Sequence, residues 1–223
     1  MNGSTLYKLS PSDFKYLWED CKHCYYQKVV NGLPTPFTPF PGIFSKMNSQ
    51  LQTMALSKNV NEIIPQLPSG KIVSQEGWLH SKPLPNRNGC YIAGKFDLLT
   101  KFDDGSYGVI DLKITDPKQD ALYKFKTQLH AYKFALENPD ENEPVKISKL
   151  GLLVVSPSEV VLHKSRAIFL SKPSWIEFKI NMEEFYAFID EISDFLSGEC
   201  PEPTKGCGYC DYRARFNAKI GSA

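Results

Sequence analysis

The sequence predicts an α/β fold in which a mixed central β-sheet is flanked by helices, and three observations predict it. Residues 149–155 form a continuous apolar run of the kind buried on both faces of a central sheet. Two strand-like segments flank the turn Asp103-Asp104-Gly105, a strong hairpin signal. Amphipathic helical runs lie before and after these strands, giving the order α, α, β, β-hairpin, α, β, β, β, α. A chain of 223 residues, 42% hydrophobic and 23% charged, reads as one domain over residues 1–223 with room for a real core. The formal net charge of +1 excludes a global basic field, so any nucleic-acid surface must be a local patch. There is no signal peptide and no apolar run of membrane-spanning length; the expected compartment is the cytosol, with no membrane partner.

Ser10, Pro11 and Asp13 open the first helix with a cap, a proline at the first helical position and an acid in the first turn. Phe14, Leu17, Trp18, Cys21 and Tyr25 recur at helical spacing, which puts Cys21 and Cys24 three apart on that helix. Pro34, Pro36, Pro39 and Pro41 then enforce an extended loop. An amphipathic helix is expected over residues 43–57, with Phe44, Met47, Leu51 and Met54 inward. Residues 71–78 read as a strand carrying Glu76, a carboxylate that could sit beside a site but is more often solvated. His80 reads as a surface or structural residue and Cys90 as structural. After Pro117 a helix is expected to reach Glu137, with Leu122, Phe125, Leu129, Tyr132 and Leu136 as its apolar stripe. Lys118, Lys124, Lys126 and Lys133 decorate it, and His130 reads as exposed. Strands follow at residues 167–170 and 175–180, and Asn181 with Glu184 caps a last helix over residues 182–197, closed by Gly198.

The chemistry concentrates on the hairpin. Side chains alternate faces along a strand, so Asp111 and Lys113 project the same way. A three-residue loop that pairs Phe102 with Ser106 makes Asp97 the direct partner of Asp111; a two-residue loop sends the two carboxylates to opposite faces. Gly105 is the residue that permits the longer loop. Like charges opposite one another repel unless a cation lies between them. Two carboxylates and a lysine on one patch therefore form an oxygen-rich site for Mg²⁺ or Mn²⁺. Such an ion polarises a phosphodiester and activates a water, while the lysine positions that water or stabilises developing charge.

Gly94-x-x-Asp97, Asp111-x-Lys113 and Gln128-x-x-x-Tyr132 occur in this order. The set resembles the PD-(D/E)XK nuclease superfamily, specifically the RecB-like branch with AddB and the CRISPR-associated spacer-acquisition exonucleases. The resemblance implies a restriction-endonuclease-like core, Asp97 and Asp111 as metal ligands and Lys113 as catalytic. Gln128 and Tyr132, four apart on one helix face, would contact the site or the DNA. Lys118, Lys124 and Lys126 are the candidates for phosphate contacts beside it. The implied partners are DNA and a helicase, recombination or CRISPR-adaptation protein. In the family, the helix that begins near Gly42 usually carries a histidine ligand. Here Ile43-Phe44-Ser45-Lys46 follow and no histidine is present, so Lys46, or Ser45 one step away, is where it would be restored.

The six cysteines include two C-x-x-C pairs, Cys21/Cys24 and Cys207/Cys210. In a reducing compartment such spacing suggests metal rather than disulfides, and four thiolates suit Zn²⁺ or an iron–sulfur cluster. Buried free thiols are the bland alternative. The resemblance favours a [4Fe–4S] cluster joining the two ends of the chain, in a pattern of one early and three late cysteines. Phe216 stands where the last of these would fall, so the fourth ligand is Cys24 or Cys200, or the site holds zinc, or it is empty. The leading expectation is a metal-dependent deoxyribonuclease, an exonuclease on DNA ends or single strands in repair, recombination or spacer acquisition. The alternatives are a catalytically degenerate nucleic-acid-binding module and an interaction protein built around a four-cysteine metal site; the last leaves the order of Asp97, Asp111 and Lys113 unexplained.

Overall fold

Two long strands that meet at the Asp103-Asp104-Gly105 turn carry the sheet, and the other elements assemble around them. The computed structural model describes residues 6–36, 41–56, 58–116 and 122–220. In chain order the elements are β1 (Tyr7–Leu9), α1 (Asp13–Tyr16), α2 (Lys22–Val29), α3 (Gly42–Ala55), α4 (Val60–Ile63), β2 (Gly70–His80), β3 (Cys90–Phe102) and β4 (Tyr107–Ile114). They continue with α5 (Lys126–Glu137), β5 (Ile147–Val155), β6 (Pro157–His163), β7 (Arg166–Ser171), β8 (Ser174–Glu177), α6 (Met182–Ser197) and α7 (Gly208–Ile220). The main sheet runs β1-β3-β4-β5-β8, with β2 also on β3. Besides β4, β3 takes two partners along its length: β1 in parallel at residues 90–92 and β2 antiparallel over residues 93–102. β4 is antiparallel to β3, β5 parallel to β4, and β8 antiparallel to β5, so the sheet is mixed as expected.

Alternate residues of β5 enter two different cores, which is why its sequence is apolar throughout. Leu150, Leu152 and Val154 pack with Tyr25, Leu129 and Ile189 on the face covered by α2, α5 and α6. Leu153 and Val155 pack with Ala55, Val60, Ile64 and Ile110 on the face covered by α3 and α4. β6 and β7 form a separate two-stranded sheet whose Leu162 and Phe169 are exposed.

Several local expectations change. β1, α4, β6 and α7 were not foreseen. β1 is three residues long, and α7 starts among the glycines and cysteines of the C-terminal pair, to which no element was assigned. Residues 10–29 do not form one helix: α1 is a single turn, and α2 begins afresh at Lys22. Cys21 is its N-cap, in extended conformation, with its sulfur accepting the Cys24 N–H at 3.4 Å. On α3, Phe44 and Met54 are exposed while Gln52 and Ala55 are buried; Ala55 and the partly buried Leu51 pack into the core, and Gln52 donates to the Glu76 carboxylate at 2.9 Å. The expected helix from Pro117 is interrupted by a turn at Lys124 and Phe125; Lys118 lies outside the described residues. Lys133 is buried rather than decorative, held by Glu137 and by the Ile147 carbonyl at 3.0 Å.

His130 is not exposed but 1% accessible, and it joins α5 to α6. Its Nε2 accepts the Asn181 N–H at 2.9 Å, so Nδ1 carries the proton and donates to the Lys126 carbonyl at 2.7 Å. Glu184 therefore does not close a capping box on Asn181; its carboxylate pairs with Lys126 and Asn181 Nδ2 instead. Burial and the neighbouring Lys126 and Lys133 charges depress the His130 pKa, against the Lys126 carbonyl and Glu184, which favour protonation. The unfolded chain therefore binds this proton first, and His130 removes stability as pH falls below about 6.5. In thermal melts against pH, His130→Ala should cost about 1–3 kcal/mol at neutral pH, because the Asn181 N–H loses its acceptor, and should weaken the acid-side decline.

Candidate active site

The hairpin has the register of the three-residue loop. Lys101 pairs with Tyr107 and Leu98 with Ile110. The Phe102 N–H donates to the Ser106 carbonyl at 2.8 Å, and Gly105 takes φ +82°, a left-handed conformation that glycine adopts without a Cβ clash. The backbone ladder stops at Leu98–Ile110, one step before Asp97 reaches Asp111. There the Asp97 side chain takes over, its Oδ2 accepting the Leu112 N–H at 2.7 Å. The strands thus part where the carboxylates lie.

Asp111 is 2% accessible. The Lys113 ammonium lies 2.6 Å from its Oδ2, and Gln128 Nε2 donates to its Oδ1 at 3.2 Å. Gln128 Nε2 also donates to the Tyr132 hydroxyl at 2.5 Å, so the two α5 residues act on Asp111 as a linked pair. Burial, then the Asp111 charge, pushes the Asp97 carboxyl up to about 7, against the opposing pull of Lys113 and the Leu112 N–H. Burial pushes Asp111 up as well, with Lys113 opposing. Burial alone would depress Lys113, but Asp111 and Asp97 outweigh it and hold the ammonium above its ordinary pKa. The three groups therefore sense one another's charge.

Two buried oxygens here are incompletely satisfied. Gln128 Oε1 meets no donor, and Asp111 Oδ2 meets the lysine ammonium as an ion pair without a directed hydrogen bond. Free lone pairs on buried carboxylate and amide oxygens are what a hard divalent cation and its waters require, so the donor set fits Mg²⁺ or Mn²⁺. Among the described residues, Glu76 does not join Asp97 and Asp111 in a three-ligand cluster. It does contribute charge to Asp97, from a strand position with φ +49° beside Gln75, which pairs with Leu98, and Gly77, which pairs with Phe96. Its carboxylate is engaged by Gln52 and by Lys95 at 3.4 Å.

The site opens into a cleft of about 430 Å³ lined by Asp97, Lys113, Lys15, Tyr16, Ser45 and Asn48, among others. Lys15 and Tyr16 come from α1 and were not foreseen as site residues. Lys15 lies 3.5 Å and Lys113 4.4 Å from the centre of the Phe125 ring, so one aromatic side chain carries two cations. Burial, Lys113 and Lys124 together depress the Lys15 pKa, which places Lys124 within electrostatic reach of the cleft. Lys126 points elsewhere, its ammonium engaged by Glu184 and by the Tyr123 hydroxyl at 3.0 Å. Ser45 and Asn48 line the cleft where Lys46 does not, and Asn48 Oδ1 is buried without a donor. His80 lies apart, 3.4 Å from Asp140 and against the Tyr91 ring.

At the other end of the core, the sulfurs of Cys21, Cys24, Cys207 and Cys210 lie within 4.8 Å of one another. Cys200 is outside this group, exposed, with its sulfur 3.6 Å from His23 Nδ1 and accepting from Gln27 at 3.4 Å.

No curated protein matches the chain in sequence. The crystal structure of SSO0001 is similar in fold, with a TM-score of 0.52 over 93% of this chain and 84% of that one, at 15% identity. A family model described as the PD-(D/E)XK nuclease superfamily matches residues 43–215, a span that contains Asp97, Asp111, Lys113, Gln128 and Tyr132 and leaves out Cys21 and Cys24. The match covers well over half of the chain, and the chain belongs to the PD-(D/E)XK nuclease superfamily.

Proposed function

We propose that this protein is a divalent-metal-dependent deoxyribonuclease of the RecB-like branch, acting on DNA ends or single strands. Members of the superfamily hydrolyse phosphodiester bonds in nucleic acids and use divalent metals. The observation that carries the reading is the grouping of Asp97, Asp111 and Lys113, which sense one another's charge, at the point where β3 and β4 part, beside the buried Gln128 Oε1 that meets no donor. Asp97 and Asp111 would hold the ion, which when bound supplies a Lewis acid for the phosphate and an acidified water. Lys113, cationic over the whole working pH range, stabilises charge that develops on the phosphate oxygens. Gln128 and Tyr132 fix the Asp111 carboxylate in one orientation. Lys15 and Lys124 supply a local positive potential for the DNA backbone, and Tyr16, 54% accessible at the rim, offers a face on which an unpaired base can stack. A cytosolic protein acting with a helicase, recombination or CRISPR-adaptation partner fits this chemistry. A second reading, a catalytically degenerate DNA-binding module, is favoured by one observation: the cleft face of α3 presents Ser45 and Asn48 and no histidine, on the helix where the resemblance leads one to expect a histidine at Lys46 or Ser45.

End-labelled and circular DNAs, single- and double-stranded, incubated with Mn²⁺ or Mg²⁺ decide between these. Cleavage is expected and should prefer free ends; folded protein that cuts none of them at any metal concentration defeats the nuclease reading. Asp111→Asn should lower the rate by more than about 100-fold, since it removes an anionic ligand and leaves Lys113 unpaired. Lys113→Ala should also slow catalysis by about 100-fold while leaving Mn²⁺ binding nearly intact, because an ammonium is no metal ligand.

The pH dependence follows from Asp97. A proton competes with the metal for a carboxyl that titrates near pH 7, so the Mn²⁺ concentration for half-maximal rate should fall by up to about tenfold per unit as pH rises toward 7 and level off above it. Manganese titrations at fixed pH values read this directly. Restoring the family's imidazole should also lower the Mn²⁺ requirement, and the cleft geometry makes Ser45→His or Asn48→His the effective variants rather than Lys46→His.

A further inference from the structure

We infer that the four-thiol centre is a mononuclear tetrahedral zinc site and not the [4Fe–4S] cluster that the family resemblance suggests. The argument is one of size. Cys24 and Cys210 sulfurs are 3.5 Å apart, Cys21 and Cys210 3.7 Å, and Cys24 and Cys207 3.8 Å, with every other pair inside 4.8 Å. A tetrahedral ion with metal–sulfur bonds of about 2.3 Å requires edges of about 3.8 Å between its thiolates. A cubane places each thiolate on a different iron, at the corners of a cage, and so separates the sulfurs by roughly 6 Å. The observed spacing matches the edges of a single-ion site and is too small for a cluster. None of the four is in a disulfide, whose sulfurs would lie at about 2 Å.

The surroundings match a thiolate site. Each C-x-x-C folds as a turn leading into a helix: Cys21 caps α2 and accepts the Cys24 N–H, while Gly206, at φ +81°, turns the chain into Cys207 just before α7. The Thr204 hydroxyl is 3.2 Å from the Cys21 sulfur. Four thiolates around Zn²⁺ keep two surplus negative charges. The Arg213 guanidinium, 3.6 Å from the Cys24 sulfur and anchored by donation to the Leu33 and Pro34 carbonyls, offsets part of them. Loading is a simple exchange in which Zn²⁺ replaces four thiol protons, with no oxidant or sulfide source. Cys200, exposed outside the tetrahedron, takes no part. The pattern of two early and two late cysteines, which departs from the one-plus-three arrangement of the resembling family, is the sequence counterpart of this smaller site.

The test uses the full chain produced in iron-replete cells and purified without oxygen, followed by metal and acid-labile sulfide analysis and X-ray absorption at the metal edge. One zinc per chain is expected, with no labile sulfide, a single sulfur shell and no metal–metal scattering. Asp111→Asn should keep this zinc, which separates it from any ion at the carboxylates, and Cys207→Ser/Cys210→Ser should lose it. If that double variant does not fold, chelation of the wild-type protein still reads the site: zinc release should make four further thiols reactive toward an aromatic disulfide. Stoichiometric iron with sulfide would overturn the proposal, as would a metal-free chain whose thiol reactivity a chelator leaves unchanged. Neither result depends on whether the protein cleaves DNA.

Discussion

A carboxylate buried in the middle of a sheet must be compensated on the spot, and Asp111 imposes that requirement on the elements around it. Its ammonium partner comes from the same strand, two residues on, which is the shortest route to a charge on the same face. Its remaining donor comes from α5, where the Gln128 amide donates to Asp111 and to the Tyr132 hydroxyl. The helix is thereby fixed in rotation over β4, and its residues from Gln128 to Ala135 are all buried. Lys113 in turn stacks on Phe125, which brings Lys15 and α1 to the same spot. A buried pair of this kind contributes little net stability, since desolvation roughly cancels attraction. What it provides is one defined arrangement of charge at the mouth of a cleft.

Much of this was legible in the sequence because it rests on short-range rules. The turn residues set the β3–β4 register, the register sets which carboxylates face each other, and the spacing of Gln128 and Tyr132 sets a helix face. What was not legible depends on contacts between distant segments. His130 is polar at a position that reads as exposed, and only the arrival of Asn181 from α6 explains its burial. The inward face of α3 carries Leu51 and Ala55 into the core and Gln52 onto Glu76 of β2, and leaves Phe44 and Met54 of the apolar stripe exposed. Lys15 and Tyr16 belong to a one-turn helix with no motif of its own. Lys126, which looked available for phosphate, is claimed by Glu184 on another helix.

The two ends of the chain bear on the cleft through the thiol centre. Cys21 follows Tyr16 by only five residues, so whatever clamps Cys21 to Cys210 also limits where Lys15 and Tyr16 can stand. The packing of Trp18 against Tyr25 and Phe195, each with ring centres 5.1 Å apart, gives that short segment an apolar seat. The four-thiol centre and the cleft are thus joined by one short segment of chain.

The β6–β7 hairpin has a different standing from every other element. β5 and β8 are already adjacent antiparallel partners, and their ladder closes with Val154 opposite Ser174. A tight reversal of a few residues would join them without altering the sheet. The chain instead runs out through residues 156–173 and back, exposing Leu162 and Phe169 on the way. This stretch is therefore topologically an insertion: a change in its length would leave the pairing of β3, β4, β5 and β8 undisturbed.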